Sequence, residues 1–367
     1  MQLMAAPPGA TTVINDREVD YFCGTSYFSL HGHPHLIQAA CDATKKYGLG
    51  SGTSRAGYGN NRILLEVEEN AARFFEAERA LYFVSGYLGS AILFQGLASQ
   101  YEAIFVDQES HYSVMDGIAM VNKPTTIFVH RDPDDLRNKL QAKLLPGQRP
   151  LVISDGIFPA SGEIAPLREY DQVLAEYDQA LLCVDDAHAT GVLGKKGQGT
   201  LEYCHVQGEG RYSTGTMSKA FGGHGGIITG SESFIERLNT GSRLAIASSP
   251  VPIPAAAATA KSLEILSHQP ELRQQLWNNV AYAKNAFRAI GFHTIPDTPV
   301  PIICLSANGV DLQAVQQHLF EKGIVVHYVP GGSYSCVPAS GAIRIAIFST
   351  HSREQIDRLA ATLSSIL

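Results

Sequence analysis

The chain lacks long hydrophobic runs: none reaches the roughly 18 residues needed to cross a bilayer, so no membrane span is expected. It also lacks an excess of positive charge. Twenty-eight Lys and Arg stand against thirty-five Asp and Glu, a net charge of −7, which argues against a broad footprint for nucleic acid or anionic lipid. None of the six cysteines (Cys23, Cys41, Cys183, Cys204, Cys304, Cys336) falls in a C-x-x-C pair. Several lie in apolar runs such as ALLCVDD and PIICLS, so they read as buried structural thiols of a reducing compartment. The opening MQLMAAPPGATTV has no basic stretch followed by an apolar one, so no signal peptide is expected and the stretch reads as a short disordered lead-in. A cytoplasmic location follows from these readings. There is no G-x-x-x-x-G-K-[ST] loop, no internal repeat and no low-complexity tract.

What is present is ordinary globular material: 45% hydrophobic and 17% charged residues over a length that suggests two or three domains. Apolar runs LYFVSG (81–86), AIFVD (103–107), TTIFVH (125–130), LVISDGIF (151–158) and ALLCVDDAH (180–188) alternate with helix-length segments. That pattern predicts an α/β fold whose mainly parallel, doubly wound sheet is covered on both faces. Residues 46–250 are expected to form this large domain after an N-terminal segment, 1–45. At SSPVPIPAAAATA (248–260) prolines stop one element and an alanine-rich helix begins, opening a smaller α+β domain over 251–367. There VDLQAVQQHLFEKG places Leu312, Val315 and Leu319 on one helical face, with Gly323 as its cap. IVVHYV (324–329) and AIRIAIF (342–348) predict strands. Ser352 and Gln355 have capping-box spacing ahead of a helix burying Ile356, Leu359, Leu363 and Ile366.

Four groups of residues carry chemical meaning. In CVDDAHATGVLG an apolar strand ends at Asp185, with His188 three residues on. Ligands of open α/β sheets sit beyond the carboxyl ends of strands, and a carboxylate there can keep a heteroaromatic nitrogen protonated. The same residues also suit a plain strand-end ion pair; D-x-x-H alone can suggest a metal site, but no convincing further ligands accompany it. In TGTMSKAFGGHGG, Lys219 stands alone among small residues, with Thr216 placed to reach a phosphate and glycines that let backbone come close. In VSGYLGS a strand runs through Ser85 and Gly86 into a helix starting near Tyr87, an arrangement that favours anions. His111, in DQESHYSVMDG, follows a strand and is able to stack on an aromatic face.

Taken in this order with the block GSGTSRAGYGN and the closing GAIRIAIFSTHS, these motifs resemble the α-oxoamine synthases, a family of fold-type I pyridoxal-phosphate enzymes, over nearly the whole chain. The resemblance implies pyridoxal 5′-phosphate as cofactor and condensation of a small amino acid with an acyl thioester. Lys219 would bind the cofactor covalently and serve as acid and base at the substrate α-carbon. Asp185 would pair with the ring nitrogen, His188 with the ring hydroxyl, and His111 would stack on the ring. Ser85, Gly86, Tyr87 and Thr216 would hold the phosphate, and Ser248 would reach the phosphate of a second subunit, implying a homodimer. Arg344 would grip the amino-acid carboxylate with its two-pronged guanidinium. No metal is implied.

The chain departs from the family pattern in places. Pro159 stands where members have a serine that contacts the ring hydroxyl, leaving that bond to His188 alone or shared with Ser161. Thr25-Ser26 replace an Asn-led pair ahead of Tyr27, and Arg62 replaces a histidine. Two other readings compete. One is a different fold-type I reaction, by an aminotransferase or aldol lyase using the same lysine and aspartate. The other is a non-catalytic binding or scaffold protein, whose mark would be loss of the lysine that Lys219 supplies.

Overall fold

A computed structural model describes residues 2–307, 309–332 and 337–366. The chain opens with a hairpin of β1 (Thr11–Ile14) and β2 (Arg17–Tyr21), so the expected disordered lead-in is instead a strand. The β-branched run TTVI and the Asn15-Asp16 pair, both at positive φ (48° and 60°), supply the two-residue hairpin signal that the Ala/Pro content of the first ten residues obscured. Helices Pro34–Tyr47 and Arg62–Phe74 follow.

Then comes the large sheet: β3 (Arg79–Phe83), β4 (Ala103–Asp107), β5 (Thr125–Phe128), β6 (Pro150–Asp155), β7 (Leu181–Asp185), β8 (Arg211–Thr216) and β9 (Gly226–Gly230). Its order is β3-β9-β8-β7-β6-β4-β5, with every pair parallel except those made by β9. All residues of β4, β6 and β7 are buried, which is why these strands read as unbroken apolar runs. Alternate side chains serve opposite layers. Ile104, Val106, Ile153 and Cys183 pack under Leu93, Val114 and Leu238, whereas Phe105, Val152, Leu182 and Val184 pack against Leu136, Leu140 and Tyr170. Burying each of these larger apolar side chains contributes roughly 1.5–3 kcal/mol.

Helices Ile253–His268 and Glu271–Ala289 lead into a second sheet of β10 (Ile302–Leu305), β12 (His327–Val329) and β13 (Ala342–Ala346), ordered β10-β13-β12. The expected single strand IVVHYV is broken at Val326. Its first half, β11 (Ile324–Val325), joins β2, and its second half is β12. Val326 is buried between the two sheets, so the run divides its backbone bonds between them. The helix Leu312–Glu321 buries Leu312, Val315 and Leu319, and Gly323 follows at φ 77°. The last helix, Arg353–Ser364, carries the full Ser352/Gln355 capping box. Ile356, Leu359 and Leu363 are buried, with Ile366 half-buried at the margin. Cys23, Cys41, Cys183, Cys204 and Cys304 are free thiols; Cys336 lies outside the described residues. Among the described residues no helix is long and apolar enough to cross a membrane.

Candidate active site

The carboxyl ends of β3, β4, β6, β7 and β8 meet at one edge of the large sheet, and a cavity of about 270 Å³ opens there. Its lining brings together Ser85, Gly86, Tyr87, His111, Asp185, His188, Thr216 and Lys219, eight of the ten residues expected from sequence. The other two lie elsewhere. Arg344, on β13, is buried behind the wall, where Nε donates to the Pro159 carbonyl at 2.6 Å. Ser248 lines a separate hollow with Arg55 and Asn60, and its hydroxyl donates to Leu244 O at 2.5 Å.

One end of the cavity is an anion cradle. β3 runs into Ser85, whose Oγ accepts the Tyr87 N–H at 3.3 Å. A short 3-10 turn, Gly86–Leu88, comes first, and the α-helix expected from Tyr87 begins only at Gly89. Thr216 Oγ lies 2.8 Å from Ser218 Oγ, which sequence reading had passed over. A Cβ on Gly86 would stand 2.6 Å from the Thr216 Cβ and Oγ1, so only glycine admits this approach. Three hydroxyls and a helix start, with backbone drawn close, fit a phosphate.

The other end is acidic. Asp185 Oδ1 accepts the Ala187 N–H at 3.0 Å, and Oδ2 accepts from Ser113 Oγ at 3.3 Å. Its neighbour Asp186 turns the opposite way to Thr200 and has no part in the cavity. Directly across the strand pairing is Asp155, a second buried carboxyl, which accepts the His111 N–H at 3.1 Å. Burial, then the Asp185 charge, pushes Asp155 well above the carboxylate range. Asp155 was missed in the sequence, although it ends an apolar strand just as Asp185 does. His111 caps the helix Tyr112–Ala119, its Nδ1 bonded to Ser113 Oγ at 2.8 Å. Burial lowers the His111 imidazole, with Asp185 opposing.

Lys219 sits between the two ends, on the nine-residue loop that turns β8 into the antiparallel β9. Enclosure lowers its amine to about 8; Asp185 and Asp155 oppose that shift and Arg344 adds to it. Its Nζ is 2.9 Å from His188 Nε2, and His188 Nδ1 is 2.8 Å from the hydroxyl of Tyr27. Burial first, then the Lys219 and Arg344 charges, holds His188 well below its ordinary value. Pro159 lines the cavity, whereas Ser161 Oγ accepts the Glu163 N–H at 3.3 Å within its own turn. An amine lowered toward neutrality, a carboxylate on the lining of the same cavity and a phosphate cradle form a donor set that fits pyridoxal phosphate.

The profile of the family described as aminotransferase class I and II matches residues 25–363. The 8-amino-7-oxononanoate synthase of Thermoanaerobacter pseudethanolicus is 33% identical over 364 residues, covering 97% of this chain and 90% of that enzyme. That of Thermosipho melanesiensis is 32% identical over 359 residues, covering 97% and 90%. Among solved structures, a serine palmitoyltransferase from S. paucimobilis with bound PLP–myriocin has a TM-score of 0.91 at 25% identity, covering 100% of this chain and 92% of that one.

Proposed function

The chain belongs to the aminotransferase class I and II family, and from that membership we infer that it is a pyridoxal-phosphate-dependent acyltransferase of the α-oxoamine synthase type. It joins a small amino acid to an acyl-CoA thioester with loss of carbon dioxide, in the manner of an 8-amino-7-oxononanoate synthase using L-alanine. The observation that carries this reading is the near-full-length identity to enzymes of that activity, on a chain whose lysine, aspartate and histidine line one cavity.

When bound, the cofactor supplies an aldehyde to hold amines and a ring that withdraws electrons from the adjacent carbon. In this reading Ser85, Gly86, Tyr87 and Thr216 hold the phosphate, and His111 covers the ring face. Asp185 keeps a proton at the ring nitrogen, and His188 meets the ring hydroxyl where Pro159 has no donor to offer. Lys219 holds the aldehyde at rest, then takes the α-proton of the substrate at Nζ and later returns it. Arg344 orients the substrate carboxylate with its remaining N–H groups. Ser248, outside its own subunit's cavity, faces a partner's phosphate in a homodimer. The chain is assigned to the cytoplasm, and the domain division to residues 250/251.

The test is release of free thiol from a panel of acyl-CoA esters, dicarboxylic ones included, with alanine, glycine and serine in turn. Alanine is expected to support release, and Lys219→Ala to lower it by about 10³-fold or more with the fold intact. Silence with all three amino acids, accompanied by half-transamination, would overturn the synthase reading.

A further inference from the structure

Tyr27 is fully buried, and its hydroxyl begins a chain through His188 to Lys219, two residues given roles in the reaction above. It lies 2.8 Å from His188 Nδ1, and His188 Nε2 lies 2.9 Å from Lys219 Nζ. The Arg344 charge acts on the same hydroxyl. We propose that Tyr27 is a positioning residue that fixes the proton of His188 and thereby holds Lys219 in its free-amine form. The inference rests on the role given to Lys219 above.

Among the described residues, His188 Nδ1 is the one hydrogen-bond acceptor within reach of the buried Tyr27 hydroxyl, so the phenol offers its single proton there. A neutral imidazole that accepts at Nδ1 carries its proton on Nε2, and that N–H meets the lone pair of the Lys219 amine. An ammonium there would set donor against donor. For Lys219 to hold a third proton, His188 must move its own to Nδ1. The Tyr27 oxygen would then accept from His188, with its own proton left without an acceptor inside a buried wall. The arrangement thus favours the amine, which is the form able to attack an aldehyde or remove a proton.

Other groups face the same lysine. Asp185 and Asp155, at the ends of β7 and β6, favour the ammonium, while Arg344 on β13 and enclosure oppose it. His111 adds to the charges around His188, and His31 bonds the Ser218 carbonyl beside Lys219 at 3.1 Å. The Tyr27 chain acts on top of these, which is why its effect is separable by removing one oxygen.

The experiment uses the full chain freed of cofactor and follows covalent uptake of pyridoxal phosphate by absorbance from neutral to alkaline pH. In that step the Nζ lone pair bonds to the aldehyde carbon, and the carbonyl oxygen leaves as water with two protons from nitrogen. The wild-type rate is expected to rise with a midpoint near 8. In Tyr27→Phe the midpoint moves up by about one pH unit, so uptake below it is roughly tenfold slower. An unmoved midpoint overturns the proposal. Nitrogen NMR of labelled histidine in the wild-type chain gives an independent check: a bare Nδ1 and a protonated Nε2 at His188 are expected, and the reverse tautomer overturns it. If the wild-type chain takes up no aldehyde at all, the assignment of Lys219 itself fails, which is a different result from uptake with an unmoved midpoint.

Discussion

The cavity and the wall behind it are built in different ways. The cavity lining is a property of one sheet: Ser85, His111, Asp155, Asp185 and Thr216 all sit where strands of that sheet stop. The wall is sewn from both extremes of the chain. Arg344 reaches the Gly24 carbonyl across 320 positions of sequence and the Pro159 carbonyl across 185, and Tyr27 reaches His188 across 161. The lining depends on strand register, the wall on how the N-terminal segment and β13 pack over the sheet. Thr25 and Ser26, beside Tyr27, and Pro159, whose carbonyl takes the Arg344 Nε bond, all lie on this seam.

The largest effect that sharpens this contrast is expected at Arg344. Lysine at 344 keeps a charge but loses the fork, including the Nε bond to Pro159 O. Arg344→Lys is expected to raise the KM for the amino acid by about 100-fold, equivalent to roughly 2.7 kcal/mol, with a smaller change in kcat. Steady-state kinetics with alanine varied at saturating acyl-CoA measure it. An equal fall in kcat with KM unmoved would show that Arg344 acts only through Tyr27 and touches no substrate.

A smaller effect probes the cavity lining. Gly86→Ala forces a Cβ to within 2.6 Å of Thr216, on backbone that two strand ends hold in place. Overpacking of this kind costs about 1–3 kcal/mol, and we expect about tenfold weaker cofactor affinity with little change in amino-acid KM. Gly50→Ala, where a Cβ meets nothing within 4 Å, serves as the control and leaves cofactor affinity unchanged. Equilibrium titration of the cofactor-free chain by absorbance separates the two.

The same division explains what was legible in the sequence. Asp185, His111 and Ser85 each follow a recognisable apolar strand, so a rule about strand ends locates them from the sequence. Asp155 obeys the same rule and was passed over because the run LVISDGIF continues apolar beyond it, hiding where the strand stops. Tyr27 had no local signal. Its partner is fixed by a packing of distant segments that periodicity does not encode. The break at Val326 was missed for a related reason, since β11 joins strands from the opposite end of the chain, whereas the local hairpin at Thr11–Tyr21 was hidden by the Ala/Pro content ahead of it.

The last effect is on stability rather than activity, and it tests whether the seam also holds the fold together. His351 stacks on Phe22 at 4.2 Å between ring centroids, accepts the Phe348 N–H at Nδ1 (2.8 Å) and donates from Nε2 to the Tyr21 carbonyl (3.1 Å). Only the neutral ring satisfies both contacts, since a proton on Nδ1 would face the Phe348 N–H. Burial accordingly lowers its pKa from 6.5 to about 4. The unfolded chain takes up a proton near 6.5 and the folded chain refuses it until about 4, so this stability is complete above 6.5 and is lost as pH falls toward 4. The contribution is on the order of 3 kcal/mol, a few degrees of melting temperature in a chain of this size. His351→Asn, which keeps an acceptor for Phe348, is expected to melt lower than wild type at neutral pH and to show a shallower decline between those two values. Thermal melts across that range check it, and parallel declines in the two proteins would place the acid sensitivity elsewhere than on the seam.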